Sequence, residues 1–248
     1  MAEDRVATEQ ASLKVLVSGA EKMFDNAERL FCEAEILAKA GGIARPLFLH
    51  QISLEECSKI NTLGAWAVSL LLGCDVNQKK VLVAFGRHEA KNKHNAYMLE
   101  QDAAEKEAIA RGDLKAAFDA FNQTQDEFHR ASNQAKNGAL YVDWADGEFV
   151  SPNERVSDAM LSDIKDRNAN FLGYASNEIK MIRRLEQAPD VMRELLAGFV
   201  GQAEKLREEK PDDLVSLMDT LLAGFFDEGK RKLTQQDDTR AEARSSES

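Results

Sequence analysis

Apolar residues recur every three or four positions along most of the chain, which is the repeat of amphipathic helices. The first such stretch covers residues 12–40, and Gly41-Gly42 ends it at a tight corner. A second helix follows and extends to about Gly73. Because its second half is apolar nearly all round, we expect it to be the central, buried helix of the fold.

The middle of the chain combines helices with one short extended segment. The pattern predicts a third helix from about residue 77 to residue 112 and a fourth after Asp113, a good N-cap residue. Helical spacing stops at residues 140–144, Leu-Tyr-Val-Asp-Trp, and returns at about residues 156–185. We expect the extended segment to strap over the bundle with its aromatic residues filling gaps. The alternative is that these aromatic residues line a groove or a dimer contact.

Two shorter helices are predicted near the C-terminus, beginning at Pro189 and Pro211. Short corners between helices usually make them antiparallel neighbours. The sequence therefore predicts an all-α fold with three parts. These are an antiparallel helical bundle over residues 1–187, an appended C-terminal helical hairpin over residues 188–228 packed on the bundle, and a disordered polar tail over residues 229–248.

Composition limits the classes of function. Acidic residues outnumber basic ones, 43 to 32, which argues against non-specific coating of nucleic acid but leaves room for a local basic site. Cys32, Cys57 and Cys74 lack metal-ligand spacing, and we expect them to be buried, reduced thiols. The chain shows no signal-peptide pattern and no apolar run of the ~20 residues that a bilayer span needs. We therefore expect a cytoplasmic protein without membrane attachment, metal site or cofactor.

A basic segment with two histidines lies within the third predicted helix: Arg87-His88-Glu89-Ala90-Lys91-Asn92-Lys93-His94-Asn95. Arg87 and His94 are almost two helical turns apart and so share a face. An imidazole can take or give a proton at cellular pH, and a guanidinium can stabilise charge on a phosphate, so these types suit metal-independent RNA cleavage. The candidates are Arg87, His88 and His94 for catalysis and Lys91, Lys93 and Asn95 for substrate binding. The alternative is a solvated helix face that carries no chemistry.

A second charged group, Glu55, Glu56 and Lys59, stands at the entry to the most apolar helix. Charges buried there are costly unless they are paired. We predict that Glu55 or Glu56 reaches the face of the next helix that carries His88 and Lys91, where it could orient an imidazole. The alternative is an exposed pair between Glu55 and Lys59, one helical turn apart, which contributes about 0.2–0.5 kcal/mol.

Three stretches of the chain, taken in order, resemble the AbiV-type abortive infection family. They are NAERLFCEAEILAKAGGIARPLFLHQISLEECSK (26–59), FGRHEAKNKHNAY (85–97) and NGALYVDWADGEFVSPNERVS (137–157). The resemblance covers roughly residues 20–187. It implies a HEPN-like helical bundle and a role in halting phage propagation at the infected cell's expense.

The resemblance also implies a chemistry for the basic segment. HEPN ribonucleases carry an Arg, often followed by a polar residue, and then a His after four to six residues. Arg87 and His94 are separated by six residues, with His88 in the polar position. Because HEPN ribonucleases generally act as dimers, we expect a homodimer with an RNA substrate and no metal. The alternative is a non-catalytic protein of the same fold that binds a phage or host protein.

Overall fold

The computed structural model describes residues 2–74, 76–86 and 101–209, and this part of the chain is helical apart from one small hairpin. Its helices are α1 (Ala2–Lys39), α2 (Ala44–Leu71), α3 (Gln78–Phe85), α4 (Ala103–Ala110), α5 (Leu114–Gly138), α6 (Pro152–Arg155), α7 (Asp158–Gln187) and α8 (Pro189–Glu209). Its two strands are β1 (Asp143–Ala145) and β2 (Glu148–Val150). The predicted all-α fold is confirmed.

The core forms where α1, α2 and α7 pack together, and α5 adds to the α2 side. As predicted, α2 is the central helix, because it packs against α1, α5, α7 and α8. The largest fully buried apolar side chains come from all three core helices: Leu13, Leu47, Leu54, Ile60, Leu71, Ile182 and Leu185. Burying side chains of this size stabilises the fold by about 1.5–3 kcal/mol each.

The corner between α1 and α2 forms at the predicted glycines. Gly41 has φ of 85°, a left-handed conformation that residues with a Cβ rarely adopt. The N–H of Gly42 donates to the carbonyl of Leu37 at 2.9 Å, which satisfies one of the last carbonyls of α1. The chain therefore reverses direction within a few residues and α2 returns along α1.

The prediction of a single helix over residues 77–112 is wrong. The helix α3 ends before Gly86, and the chain at Gln101 and Asp102 is not helical. The Asp102 carboxylate accepts a hydrogen bond from the N–H of Glu105 at 2.7 Å, so it caps a new helix, α4. The capping role of Asp102 could not be predicted from the pattern of polar residues, because an Asp in a polar helical stretch is equally compatible with a solvent-exposed helix face.

The predicted extended segment is one strand of a two-stranded hairpin. Asp146 and Gly147 have φ of 51° and 93°, the two positive values that an Asp-Gly hairpin turn requires. Trp144 pairs with Phe149 across the strands, with ring centroids 4.9 Å apart, and they are 59% and 74% exposed. The expectation that the aromatic residues fill gaps on the bundle is therefore wrong, since Tyr141 is also 60% exposed. Because the turn is tight, Trp144 packs against Phe149 of the same hairpin.

The C-terminal helix α8 lies against the bundle. Met192 and Leu195 belong to the buried core, and Nε of Arg193 donates to the Leu71 carbonyl at the end of α2, at 3.2 Å. Residues 210–248, which include the second predicted helix of the hairpin and the polar tail, lie outside the described residues. The predicted division of the chain into three parts stays a prediction.

The cysteines differ from the expectation of three buried thiols. Cys57 is buried, and burial raises the pKa of its thiol to about 12. Cys32 and Cys74 are exposed, because one lies on the outer face of α1 and the other follows the end of α2. Within the described ranges no three His, Cys, Asp or Glu side chains converge as metal ligands. The helices described there lack the combination of length and hydropathy that a membrane span requires.

Candidate functional site

The predicted catalytic segment follows directly on α3. All six of its assigned side chains lie outside the described residues: Arg87, His88, Lys91, Lys93, His94 and Asn95. The described chain ends at Gly86 on one side and resumes at Gln101 on the other. Their catalytic and binding roles stay predictions.

The second predicted group is described, and its inner member is Glu55. This side chain is 1% exposed and accepts a hydrogen bond from Nζ of Lys136 on α5 at 2.9 Å. Lys136 is itself 6% exposed, so the two residues form a buried ion pair between α2 and α5. The prediction that a charge buried at the start of the apolar helix has a partner is confirmed for Glu55. The alternative of a solvated pair between Glu55 and Lys59 is wrong, because Glu55 is buried.

Glu56 and Lys59 pair with each other on a less buried face of α2. Their ion pair spans three residues of the helix, and the side chains are 14% and 18% exposed. Glu56 therefore points about 100° around the helix from Glu55, and the two carboxylates have different surroundings. The predicted contact of either carboxylate with His88 or Lys91 stays a prediction, because those residues lie outside the described part.

Four buried polar residues form a seam between α2 and α5, which we call the polar seam. Gln51 and Glu55 are one turn apart on α2, and Ser132 and Lys136 are one turn apart on α5. Each is at least nine-tenths buried. Gln51, Ser132 and Lys136 were not predicted from the sequence. The signal that could have found them is a polar residue every fourth position on the apolar face of each helix.

A second buried polar group links α1, α2 and α7 around His50, which is 0% exposed. Its Nδ1 lies 3.1 Å from the Asn168 amide nitrogen, and the Asn168 oxygen accepts from the Ser53 hydroxyl at 3.1 Å. The other ring nitrogen, Nε2, lies 3.5 Å from Oε1 of Glu35. With Asn168 donating to Nδ1, the neutral ring carries its proton on Nε2, and neither this nitrogen nor Oε1 of Glu35 has a hydrogen-bond partner among the described residues.

The charges around His50 favour an ionised Glu35 and a neutral imidazole. A hydrogen bond from Lys165, at 2.6 Å, holds the pKa of Glu35 below its usual value. Burial lowers the pKa of His50, and the neighbouring Glu35 carboxylate opposes this effect. The group is a hydrogen-bonded connection inside the core, and its geometry indicates a structural role.

Glu178, on α7, has a further carboxyl group whose pKa is shifted by its surroundings. Burial raises the pKa of Glu178 to about 7. Its Oε2 is buried and has no hydrogen-bond partner among the described residues. Its Oε1 lies 2.7 Å from the place that a Cβ would occupy on Gly64 of α2. The carboxyl group thus occupies space that the glycine leaves free.

Comparison with known proteins identifies the family. The family model HEPN_AbiV, described as AbiV, matches residues 15–173, which include the basic segment, Glu55 and Lys136. The chain is 54% identical over 112 residues to the uncharacterized protein y4gJ of Sinorhizobium fredii. That alignment covers 45% of this chain and 58% of y4gJ, so the chain spans less than two thirds of this relative. No solved structure matches the chain significantly. Because the family model covers more than half of the sequence, this protein belongs to the AbiV family of HEPN proteins.

Proposed function

We propose that this protein is an abortive-infection effector that restricts phage by cutting RNA, as a metal-independent HEPN-type endoribonuclease. The observation that carries the proposal is the extent of the AbiV match, over residues 15–173. This range contains the whole segment from Arg87 to Asn95 with its Arg-to-His spacing of six residues. The consequence for the infected cell is a halt in translation or in phage propagation.

The proposed chemistry needs only side chains of this chain. One imidazole, of His94 or His88, takes the proton of a ribose 2′-OH as the oxygen attacks the adjacent phosphorus. The guanidinium of Arg87 stabilises the charge that develops on the phosphate oxygens. Lys91 and Lys93 add positive potential along the RNA backbone. In a homodimer, two such segments would form one site.

The buried pair of Glu55 and Lys136 supports the proposal from within α2 and α5. An ionised carboxylate in the core is costly unless it is paired, and Lys136 supplies that pair at 2.9 Å. Glu55 can then serve as a positioning residue that orients an imidazole of the basic segment. Glu56 and Lys59 form a second, less buried ion pair on the adjoining face of α2.

The test is induced expression in bacteria, with and without phage, while total RNA is followed. Arg87→Ala and His94→Ala should each abolish protection and RNA cleavage with circular dichroism unchanged. Arg111→Ala is the matched control, since Arg111 is an exposed arginine with one weak pair to Glu107, and it should behave as wild type. If both variants still protect and RNA stays intact, the ribonuclease proposal is wrong.

A binding function is the second candidate, and the exposed pair of Trp144 and Phe149 favours it. Exposed aromatic side chains on a hairpin are common anchors of protein interfaces. A binder should lose protection on a double change of Trp144 and Phe149 to Ser and should tolerate His94→Ala. A ribonuclease should show the reverse pattern unless the hairpin also forms the dimer contact, which the molecular mass in solution would show.

A further inference from the structure

The hairpin of β1 and β2 exposes an apolar surface that the described helices do not cover. Successive residues of a strand point to opposite faces, and Ala145 and Val150, on one face, are partly buried. The cross-strand pair of Trp144 and Phe149 occupies the other face. Four large apolar residues of the hairpin and of its entry are more than half exposed: Tyr141, Val142, Trp144 and Phe149. We call these four residues the hairpin patch.

Acidic residues surround the hairpin patch. Residues 139–154 include four acidic side chains, of Asp143, Asp146, Glu148 and Glu154, and no Lys or Arg. The first three of these lie within two residues of the aromatic pair, a separation of about 7 Å along a strand. Because this is shorter than the Debye length of about 8 Å at physiological ionic strength, their charges act on any group that contacts the rings.

The three nearest carboxylates have few partners inside the fold. Oδ2 of Asp143 lies 3.5 Å from Nη1 of Arg155, which is a long contact for an ion pair. The side chains of Asp146 and Glu148 make no ion pair or hydrogen bond within the part of the chain that the structure describes. Carboxylates that are not neutralised by the fold are available to a partner outside it.

Exposed rings beside unpaired carboxylates favour a partner that is both cationic and apolar. An Arg or Lys side chain can lie over the face of Trp144 in a cation–π contact while its charge pairs with a neighbouring carboxylate. The rings of Trp144 and Phe149 meet at 75°, so they present faces in two directions. The same carboxylates repel the phosphates of RNA and of anionic lipids. The chemistry of the surface therefore indicates a basic protein segment.

We propose that the hairpin patch is the docking surface for a segment of another protein that combines Arg or Lys with apolar residues. The basic side chains of this segment contact the Trp144 ring and the surrounding carboxylates. Its apolar side chains cover Tyr141, Val142 and Phe149 and so remove them from water. This inference rests on the binding function proposed for the hairpin and does not require RNA cleavage.

The test is calorimetric titration of the full chain with three synthetic peptides of equal length. One alternates Arg and Leu, one alternates Arg and Ser, and one alternates Glu and Leu. The Arg–Leu peptide should bind best, because it alone offers both charge and apolar surface. Its affinity should fall as the salt concentration rises. If the Arg–Leu peptide does not bind, or if either other peptide binds equally well, the proposal is wrong.

Two double variants separate the rings from the charges. Trp144→Ser with Phe149→Ser should weaken binding of the Arg–Leu peptide at least about tenfold, because aromatic anchors dominate the affinity of an interface. Asp146→Asn with Glu148→Gln should weaken it about two- to tenfold, the loss of two exposed ion pairs. Asn tolerates the positive φ of Asp146, so this second variant keeps the hairpin turn and remains informative if the first one misfolds. Unchanged binding in both folded variants would overturn the proposal.

The matched control is Asp25→Asn with Glu28→Gln, at exposed positions of α1. It removes the same two charges from another surface, so it measures non-specific attraction of a basic peptide to a chain with a formal net charge of −11. This variant should bind the Arg–Leu peptide as wild type does. Equal weakening in the control and in Asp146→Asn with Glu148→Gln would contradict a site on the hairpin.

Fluorescence and sedimentation distinguish the other possible occupants. The chain has two tryptophans, and the indole nitrogen of Trp66 is buried, so a spectral change that is lost in Trp144→Ser comes from the hairpin. Such a change with the Arg–Leu peptide supports the proposal, whereas one with a single-stranded oligoribonucleotide contradicts it. A wild type that sediments as a dimer, when Trp144→Ser with Phe149→Ser is monomeric, would show that a second copy covers the patch and that the proposal is wrong.

Failure of this inference can be told apart from failure of the proposed functions. His94→Ala should bind the Arg–Leu peptide as wild type does, whether or not the protein cuts RNA. If Trp144→Ser with Phe149→Ser loses phage protection but the wild type does not bind the peptide, the binding function stands and the basic partner is wrong. If the wild type binds the peptide and the variant loses the peptide but keeps protection, the docking surface stands and its role in phage defence is wrong.

Discussion

Nζ of Lys136 lies 2.9 Å from Oε1 of Glu55, and both side chains are buried where α5 packs on α2. Removing one member leaves the other charge buried without its partner, which typically costs about 3–5 kcal/mol. Lys136→Met should therefore lower the free energy of unfolding by that order, measured by urea denaturation. Adding Glu55→Gln to Lys136→Met should recover part of the loss.

The matched control for this pair is Lys59→Met. Lys59 and Glu56 also form an ion pair on α2, but both side chains contact solvent. Because water still reaches Glu56, its charge is hydrated when Lys59 is removed, so this variant should cost less stability than Lys136→Met. Equal losses in Lys59→Met and Lys136→Met would contradict the account of a buried pair.

The difference between these two lysines also marks what the sequence could predict. The sequence around Glu55 places a charged residue at the start of the most apolar helical stretch. It therefore predicts that this charge is paired. It could not name Lys136, which is 81 residues away on a helix whose polar spacing resembles a solvated face. Only the packing of α5 on α2 brings the two together.

The same limit holds for the hairpin and the core. The Asp146-Gly147 turn could be predicted from sequence, because few residues other than Gly, Asn and Asp adopt positive φ there. That Trp144 faces solvent with Phe149 could not, since it depends on strand register. His50 and Asn168 lie 118 residues apart, so their contact likewise has no local signal.

Glu178 should make stability fall as the pH rises. Its folded pKa of about 7 lies above its usual 4.5, so the folded state holds the proton more tightly than the unfolded chain. The contribution is present in full below pH 4.5 and is lost as the pH rises through about 7. Integrated over that window it amounts to about 3 kcal/mol. Glu178→Gln should remove this slope, as urea denaturation at several pH values would show.

The control for Glu178 is Glu148→Gln, at an exposed position of β2. This variant should keep the slope of the wild type between pH 4.5 and pH 7. If Glu178→Gln keeps the same slope as well, the carboxyl group is not protonated in the folded protein at neutral pH.

His50 should make stability fall as the pH falls, the opposite of the effect of Glu178. Burial lowers its folded pKa below the usual 6.5, so the unfolded chain takes up the proton first as the pH falls. Its contribution to stability is present above pH 6.5 and is lost as the pH falls through the folded pKa. His50→Gln should therefore reduce the loss of stability on acidification below pH 6.5. Two-dimensional NMR of the imidazole would test the cause directly, since a His50 ring that titrates at or above pH 6.5 contradicts it.

The hairpin aromatics should contribute little to the stability of the fold. Trp144 is 59% exposed and its main contact is the edge-to-face pair with Phe149, a contact of about 0.5–1.5 kcal/mol. Trp144→Ser should thus lower the free energy of unfolding by about 1 kcal/mol. Phe171→Ala is the contrast, because Phe171 is 4% exposed and truncation of a buried Phe costs about 3–5 kcal/mol. A loss in Trp144→Ser as large as in Phe171→Ala would mean that Trp144 is buried in solution, by another copy of the chain or by the bundle. Sedimentation of the wild type at the same concentration would separate these two cases, because only burial by another copy raises the mass.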